Sequence, residues 1–497
     1  MTESGTTLGP ELLVALRRDH PEPLHRQLAD QLRDVIRTGK LSAHARMPST
    51  RVLASDLGLS RRLVVDVYDQ LIAEGFLLSR RGSGTRVARI GAVAQPEPVD
   101  PDTAAGYDID FGPGTPDLSS FPRGAWIRAL RQALAVTPSD SLGYDVRGLA
   151  TTREALLSYL RRTRAVVTEA DRIVLCSGVT QGVGLIARAL RQTGQTPIGI
   201  EDPGFWLHRN ILQHTGTKPI PVQVDEDGID VGALTNTHAK AVLTTPAHQA
   251  ATGVVLTPDR RAALVEWTRR GNLVVEDDYD AEYRYDRAPV GAVQGIMPNR
   301  VVYLGSASKT LAPGLRIGWM VLPPNLVDVI TGLKGLADMG SSVMDQLAFA
   351  QLLTSGDYDR HLRQMRRRYL RRRNALLSSL RRYLPDVTVL GAAAGVQLTV
   401  HFPPGYDIDA LVANAAKNRV RIEPLATSYA EPATAPPGLN MGYANLSESQ
   451  IAAGVRILTR AHDLVRSTRR PHRPRTAGQP LGSSPRATPE TSRQPRK

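Results

Sequence analysis

The chain has 497 residues, enough for more than one domain. Its 41% hydrophobic and 22% charged content is that of a globular protein. The one cysteine, Cys176, excludes an intramolecular disulfide framework and a cysteine-based zinc site, and fits a reducing compartment. The net charge of +14 does not by itself imply nucleic-acid binding. Residues 466–497 hold nine basic residues and one acid, whereas residues 1–88 hold thirteen and ten.

The opening MTESGTTLGP lacks the pattern of a signal peptide, and no apolar run is long enough for a membrane span, so a cytoplasmic location is expected. Residues 1–19 are expected to be a flexible N-terminus. Leu24, Leu28, Leu32, Val35 and Ile36 recur at helical spacing and predict a helix over 23–38. Ser49 or Thr50 caps a short second helix that ends near Leu57, and Gly58 makes a turn. Ser60 caps a third helix that runs to about Glu74 with Val64, Val67, Leu71 and Ile72 on its inner face, and Gly75 stops it. LLSRRGSGTRV then predicts two short strands around a Gly-Ser-Gly tip.

Residues 89–107 are proline-bearing and without helical period, and read as a linker. From residue 108 the pattern is α/β. PIGIED (197–202), AKAVLTTP (239–246), NLVVEDD (272–278), VVYLGS (301–306) and RIGWMVL (316–322) predict strands of a mostly parallel sheet covered on both faces. Residues 466–497 are rich in Pro, Ser, Thr and Arg, cannot bury a core, and read as a disordered basic tail. No internal repeat is present.

In a helix-turn-helix the second helix enters the major groove and its first side chains reach base edges. Ser60, Arg61 and Arg62 open that helix here. Arg51 lies on the preceding helix. Arg80 and Arg81 lie at the wing base, with Gly82 and Thr85 in the wing itself. Arginine suits bidentate contacts to guanine and phosphate. PSTR (48–51), LGLSR (57–61), YDQLIAEG (68–75) and GSGT (82–85) together resemble the GntR family of winged helix-turn-helix regulators over residues 20–88. The resemblance implies double-stranded operator DNA as a partner, contacted by Arg51, Ser60, Arg61, Arg62, Arg81, Gly82 and Thr85.

The second module carries the requirements of pyridoxal phosphate. These are a lysine for the Schiff base, an acid for the ring nitrogen, an aromatic face, and hydroxyls, amides and an arginine for the phosphate. Lysine occurs at only seven positions, 40, 218, 240, 309, 334, 417 and 497, a chance of about one in seventy per residue. One of them is Lys309, in SASK after a predicted strand. Ser306 and Ser308 flank it, and Arg316 follows seven residues later. Asp277 ends another strand, Tyr279 lies two residues on, SGVTQG (177–182) opens a helix, and Phe205 offers a ring. No metal site is expected.

FGPGTPDLSSFPRGAW (111–126), LGYDVRG (142–148), SGVTQG, EDPGFW, TPAHQAATG (245–253), EDDYDAEYRY (276–285) and SASKTLAPGLRIG (306–318) resemble the fold-type I aminotransferases over residues 108–465. With the N-terminal module, the chain resembles the MocR subfamily of GntR regulators. The implied fold is a winged helix-turn-helix (α+β) joined to an α/β pyridoxal-phosphate-dependent transferase domain, with a large domain and a small C-terminal one. By resemblance Lys309 forms the Schiff base, Asp277 meets the ring nitrogen, Tyr279 the phenolic oxygen, Arg316, Thr180 and the Val179 backbone the phosphate. Phe205 takes the stacking position. Tyr144 reaches the partner subunit's phosphate, which implies a head-to-tail homodimer. The implied effector is pyridoxal phosphate, or an amine or amino acid.

There are departures. Enzymes of this fold end with an arginine that clamps the substrate carboxylate, and LNMGYANL places Asn440 there. An amide cannot supply a charged bidentate clamp. This favours a sensor over an active aminotransferase or a purely structural domain, and favours sensing of the cofactor itself and control of vitamin B6 genes. His248 and Gln249 are assigned to pocket lining or to packing. The eight arginines of 360–373 read as a solvated face or as a second DNA-facing stripe.

Overall fold

The computed structural model describes residues 14–80, 84–89, 106–285, 290–391 and 393–468. The chain divides into two units, Met1–Ala105 and Gly106–Lys497. In the first, α1 (Leu24–Arg37), α2 (Thr50–Leu57) and α3 (Arg61–Ala73) pack before a hairpin of β1 (Leu77–Arg80) and β2 (Gly84–Val87). Leu28, Leu32 and Ile36 of α1 meet Leu53 of α2 and Val64, Val67 and Leu71 of α3 in one core. Ser49 caps α2 by accepting from the Val52 amide, and Ser60 caps α3 through the Leu63 amide. Gly58 takes the left-handed conformation that the turn between them needs, with φ of 62°.

Residues 14–19 depart from the expected flexible N-terminus. The Gln31 side chain bonds both the amide and the carbonyl of Ala15, at 2.9 and 2.8 Å. Gln27 does the same for Arg17, at 2.9 and 3.0 Å. A glutamine amide carries one acceptor and two donors, so it pairs with a peptide group as another strand would. Arg18 donates to the Gly58 carbonyl at 2.8 Å.

The second unit begins with β3 (Ile109–Asp110), α4 (Arg123–Val136) and α5 (Ala150–Arg164). Next come β4 (Ile173–Cys176), α6 (Val179–Gln192), β5 (Ile198–Asp202), α7 (Trp206–His214), β6 (Pro219–Asp225), β7 (Gly228–Ile229) and α8 (Val231–Thr235). They are followed by β8 (Ala241–Thr244), α9 (Pro258–Arg269), β9 (Leu273–Asp277), β10 (Val301–Ser306) and β11 (Gly318–Val321). Strands β4 to β11 form one sheet in the order β4-β11-β10-β9-β8-β5-β6-β7. The pairs from β10 through β6 are parallel, while β11 runs against both neighbours, β10 and β4. The five strands predicted from sequence are all present. β4, β6 and β7 were not predicted.

α10 (Pro324–Asp338), α11 (Val343–Ser355) and α12 (Asp357–Tyr383) lead to a smaller part. It contains β12 (Thr388–Leu390), β13 (Gln397–His401), α13 (Ile408–Lys417), β14 (Val420–Arg421), β15 (Glu423–Pro424), β16 (Gly438–Gly442) and α14 (Glu448–Thr468). Its sheet has the order β12-β13-β16-β15, and β14 pairs with β3. Phe111, Tyr369, Leu398, Val400, Met441 and Val455 form its core. α14 continues to Thr468, past the expected boundary at 465. No helix among the described residues is long and apolar enough to cross a membrane.

Several arginines of α12 are internal fasteners rather than a free stripe. Arg368 and Arg372 reach Asp117 at 3.0 and 2.8 Å, and Arg366 donates to the Glu282 carbonyl at 2.6 Å. The two guanidiniums and the Ser119 and Ser120 hydroxyls hold the Asp117 carboxyl well below its usual range, against the opposing effect of burial.

Candidate functional site

Arg51, Ser60, Arg61 and Arg62 are all exposed, the last three where α3 begins. The Ser60 oxygen is occupied as a cap acceptor, so its hydroxyl proton remains to donate outward. Thr85 is half-buried on β2, opposite Ser79, and its carbonyl accepts from the Met47 amide at 2.9 Å. Arg81 and Gly82 lie outside the described residues. Arg46 is an addition: it is exposed, its backbone is bridged to Arg86 of β2, and its guanidinium lies beside Gly84 at the loop end of the hairpin. No spacing rule singles it out.

The second site follows from strand direction. β4, β5, β9 and β10 are parallel, so their last residues, Cys176, Asp202, Asp277 and Ser306, share one edge of the sheet. β11 is antiparallel and starts at that edge, with Gly318 paired to both Ser306 and Cys176. Ligands in such sheets bind outside the carboxyl ends of the strands. A cavity of about 260 Å³ lies there. It is lined by Val179, Thr180, Phe205, Asp277, Tyr279, Ser306, Ser308, Lys309, Arg316 and, from the small sheet, Gln397, Glu423 and Asn440.

The Lys309 ammonium donates to the Gly114 carbonyl at 2.5 Å. Burial pushes its pKa down, opposed by the nearby Asp280 and Asp277 carboxylates. A depressed lysine supplies more of the free amine that attacks a carbonyl carbon. The turn after it is held from α12, where Tyr358 bonds the Thr310 hydroxyl at 2.8 Å and His361 meets the Thr310 carbonyl at 2.8 Å.

Asp277 Oδ2 lies 3.1 Å from His208 Nε2, yet the pair is not aligned as a hydrogen bond. Asp277 Oδ1 is buried with no partner. A buried carboxylate oxygen without a donor is costly, and a protonated ring nitrogen is a donor that would satisfy it. At the α6 N-terminus, Arg316 donates to the Ser177 carbonyl and sits against Gly178. A guanidinium beside free helix amides, with Thr180 and Ser308 alongside, is an anion site of the kind a phosphate takes. The residues present therefore fit pyridoxal phosphate.

The Tyr279 hydroxyl already has a protein partner. Its oxygen lies 2.9 Å from His248 Nδ1, and the same nitrogen lies 3.0 Å from Asp280. An Nδ1 proton shared between the carboxylate and the phenol oxygen leaves the phenol proton available to a third acceptor. His248 thus orients Tyr279 and does not line the cavity. Gln249 organises the loop: it donates to Glu201 and accepts from the Ala251 and Thr252 amides.

Two family models match the chain. Residues 24–87 match the bacterial regulatory proteins of the gntR family, and residues 108–458 match the aminotransferases of class I and II. The probable rhizopine catabolism regulatory protein MocR of Rhizobium meliloti is 33% identical, over 90% of this chain and 96% of its own. The pyridoxine biosynthesis transcriptional regulator PdxR of Corynebacterium glutamicum is 32% identical, over 74% of this chain and 82% of its own. The chain belongs to the MocR subfamily of GntR transcriptional regulators. The solved kynurenine aminotransferase of Pyrococcus horikoshii shares the fold of the second unit. Its TM-score is 0.67 at 26% identity, covering 73% of this chain and 92% of that one.

In this MocR-type regulator most predicted cofactor residues meet in one cavity. Tyr144 does not line it: it is 87% exposed on a surface shared with Thr137, Pro138 and Val146. Phe205 lines the cavity with its ring partly exposed, edge-on to His208 at 5.1 Å between centroids. His208 was missed. The available signal was its spacing of three from Phe205, which places both on one turn of chain entering α7. Asp280, Gln397 and Glu423 were also missed.

Proposed function

We propose that this regulator binds operator DNA through its first unit and holds pyridoxal phosphate in the cavity of its second, which serves as the effector sensor. The observation that carries the reading is the convergence of Lys309, the partnerless Asp277 Oδ1 and Arg316 on one cavity. Bound there, the cofactor would supply an electrophilic carbon for amines. Lys309 would hold it covalently, Asp277 would keep its ring nitrogen protonated, and Tyr279 would donate to its phenolic oxygen. Arg316, Ser306, Ser308, Thr180 and the Val179 amide would hold the phosphate, and Phe205 would cover the ring.

Asn440 speaks against turnover of amino acids. It is buried on β16, accepts from Thr399 at 3.0 Å and donates to Ser428 at 3.2 Å, so it has no charge to offer a carboxylate. Regulation follows when cofactor or ligand binds two conformations of the protein unequally. The working form we propose is a cytoplasmic, head-to-tail homodimer, with Tyr144 reaching the partner's site. Control of vitamin B6 genes is supported by the likeness to PdxR.

The test is binding of the full chain to its own upstream DNA at fixed salt, with and without pyridoxal phosphate, beside Lys309→Ala. A cofactor-dependent change in affinity or footprint that is absent in Lys309→Ala, together with loss of the visible absorption band, is expected. A band that persists in Lys309→Ala refutes the lysine assignment. DNA binding indifferent to the cofactor removes the cofactor as the signal.

A further inference from the structure

The small-sheet wall of the cavity has a chemistry of its own. β13 contributes Gln397, β15 Glu423, and β16 Asn440, which pairs across to both Thr399 and Glu423. Ser428 and Thr427 lie beside them. Several donors on this wall are engaged. The Gln397 amide donates to the Ala250 carbonyl at 2.7 Å, Asn440 donates to Ser428, and the Thr427 hydroxyl donates to the Pro424 carbonyl at 2.9 Å. The spare amide and hydroxyl protons are neutral donors, so among the described residues no cation on this wall is offered to an anion. Gln397 Oε1 is an acceptor on the same wall. It lies 3.8 Å from the point where a Cβ on Gly114 would stand, and Lys309 Nζ lies 2.5 Å from that point, so acceptor and lysine are neighbours.

Charge points the same way. Among the described residues that line the cavity, Lys309, Arg316 and His208 are the basic ones, and all belong to the large-sheet side. Glu423 is the acid of the small-sheet wall. Behind it, the Arg421 guanidinium is divided between Asp110 at 3.3 Å and Glu423 at 3.5 Å, leaving one negative charge in excess in that group of three. Arg209 is committed to the carbonyls of Tyr429 and Ser428, at 2.8 and 3.0 Å. Neither arginine lines the cavity. A carboxylate entering beside Lys309 would face acceptors and a like charge, whereas an ammonium would find both hydrogen-bond acceptors and a counter-charge.

We infer that the ligand taken beside the cofactor is a primary amine whose far end is a second ammonium group, a diamine, selected by Glu423 and Gln397. The inference rests on the proposed reading that Lys309 holds pyridoxal phosphate. It names a class of ligand opposite in charge at its far end to the one an arginine clamp accepts.

The experiment uses the full chain loaded with pyridoxal phosphate and three probes of one length: 1,4-diaminobutane, butylamine and 4-aminobutyrate. Their dissociation constants are measured by calorimetry without DNA. The diamine is expected to bind about tenfold or more tightly than either of the others, as charge-assisted hydrogen bonds imply. Glu423→Gln is expected to bring the diamine and butylamine within about threefold of each other. Arg421→Gln, which removes the competing cation, is expected to keep or enlarge the preference. Binding of 4-aminobutyrate as tight as the diamine overturns the inference, and so does a diamine preference that survives Glu423→Gln. A chain that takes up no cofactor on Lys309 overturns the functional reading and this one with it. A loaded chain with no diamine preference overturns this one alone.

Discussion

Replacing Arg164 with Met tests how the strand that carries the site is held. Asp277 and Tyr279 face the cavity, while Asp278 between them turns to the opposite side. There Asp278 accepts from Arg164 Nε at 2.6 Å, Arg164 Nη2 at 3.0 Å and the Tyr303 hydroxyl at 2.6 Å. Both charged side chains are 2% exposed, and Arg164 also donates to the Val290 carbonyl at 2.7 Å. Arg164→Met is close in volume but leaves a buried carboxylate with one neutral donor. Breaking a buried pair from one side costs about 3–5 kcal/mol. A second route gives a similar figure. An unpaired carboxylate escapes the penalty by taking up a proton, which from an ordinary value near 4 costs about 4 kcal/mol at pH 7 and about 1.5 kcal/mol at pH 5. The expected destabilisation is therefore about 4 kcal/mol at pH 7 and markedly smaller at pH 5. All four tryptophans, Trp126, Trp206, Trp267 and Trp319, lie in the second unit, so urea unfolding followed by their fluorescence reports that unit alone. The double variant Arg164→Met with Asp278→Leu is expected to recover most of the loss, because no charge is left behind. A single-variant loss below about 1 kcal/mol, or one equal at pH 5 and pH 7, refutes the reasoning.

Two further outcomes follow from the cavity. Gly178 has φ of 82° and ψ of 170°, a region essentially reserved for glycine, and a Cβ there would stand 2.8 Å from Arg316 Nη2. Gly178→Ala is expected to cost about 1–3 kcal/mol in the same unfolding assay and to weaken pyridoxal phosphate binding; unchanged cofactor affinity would show that the guanidinium is not at the phosphate. The attacking form of Lys309 is its neutral amine, and burial favours that form, so the rate of cofactor capture should rise with pH and level off below the ordinary lysine value of 10.5. A midpoint at or above that value contradicts the assignment.

Where periodicity reflects one buried face, the sequence is legible. The α1 stripe, the Ser49 and Ser60 caps and the apolar runs of β9 and β10 needed only local rules. β4 escaped because IVLC is four residues long with no alternation. β6 escaped because Pro219 and Pro221 interrupt it, which argues against a strand until the pairing with β5 is seen. Residues 14–19 are ordered by two glutamine side chains of a helix that follows them, a pairing no local pattern announces.

The site divides in the same way. Lys309, Asp277 and Arg316 stand out because each is a rare or charged residue at the end of an apolar run. The acidic string EDDYD does not say which of its members faces the cofactor. Register decides it: Asp277 pairs with Leu304 at the end of β9, and the alternation of the strand then sends Glu276 to the Val293 and Gln294 amides and Asp278 to Arg164. Asp280, beyond the strand, is free of that alternation and reaches His248, which in turn fixes Tyr279. Four acids with similar sequence surroundings thus acquire four different tasks at one strand end. The small-sheet wall was less legible still. Glu423 and Asn440 are seventeen residues apart and become neighbours only through the antiparallel register of β15 and β16. The loss of an arginine clamp was visible in LNMGYANL, but the acid that replaces its charge with the opposite one required the sheet.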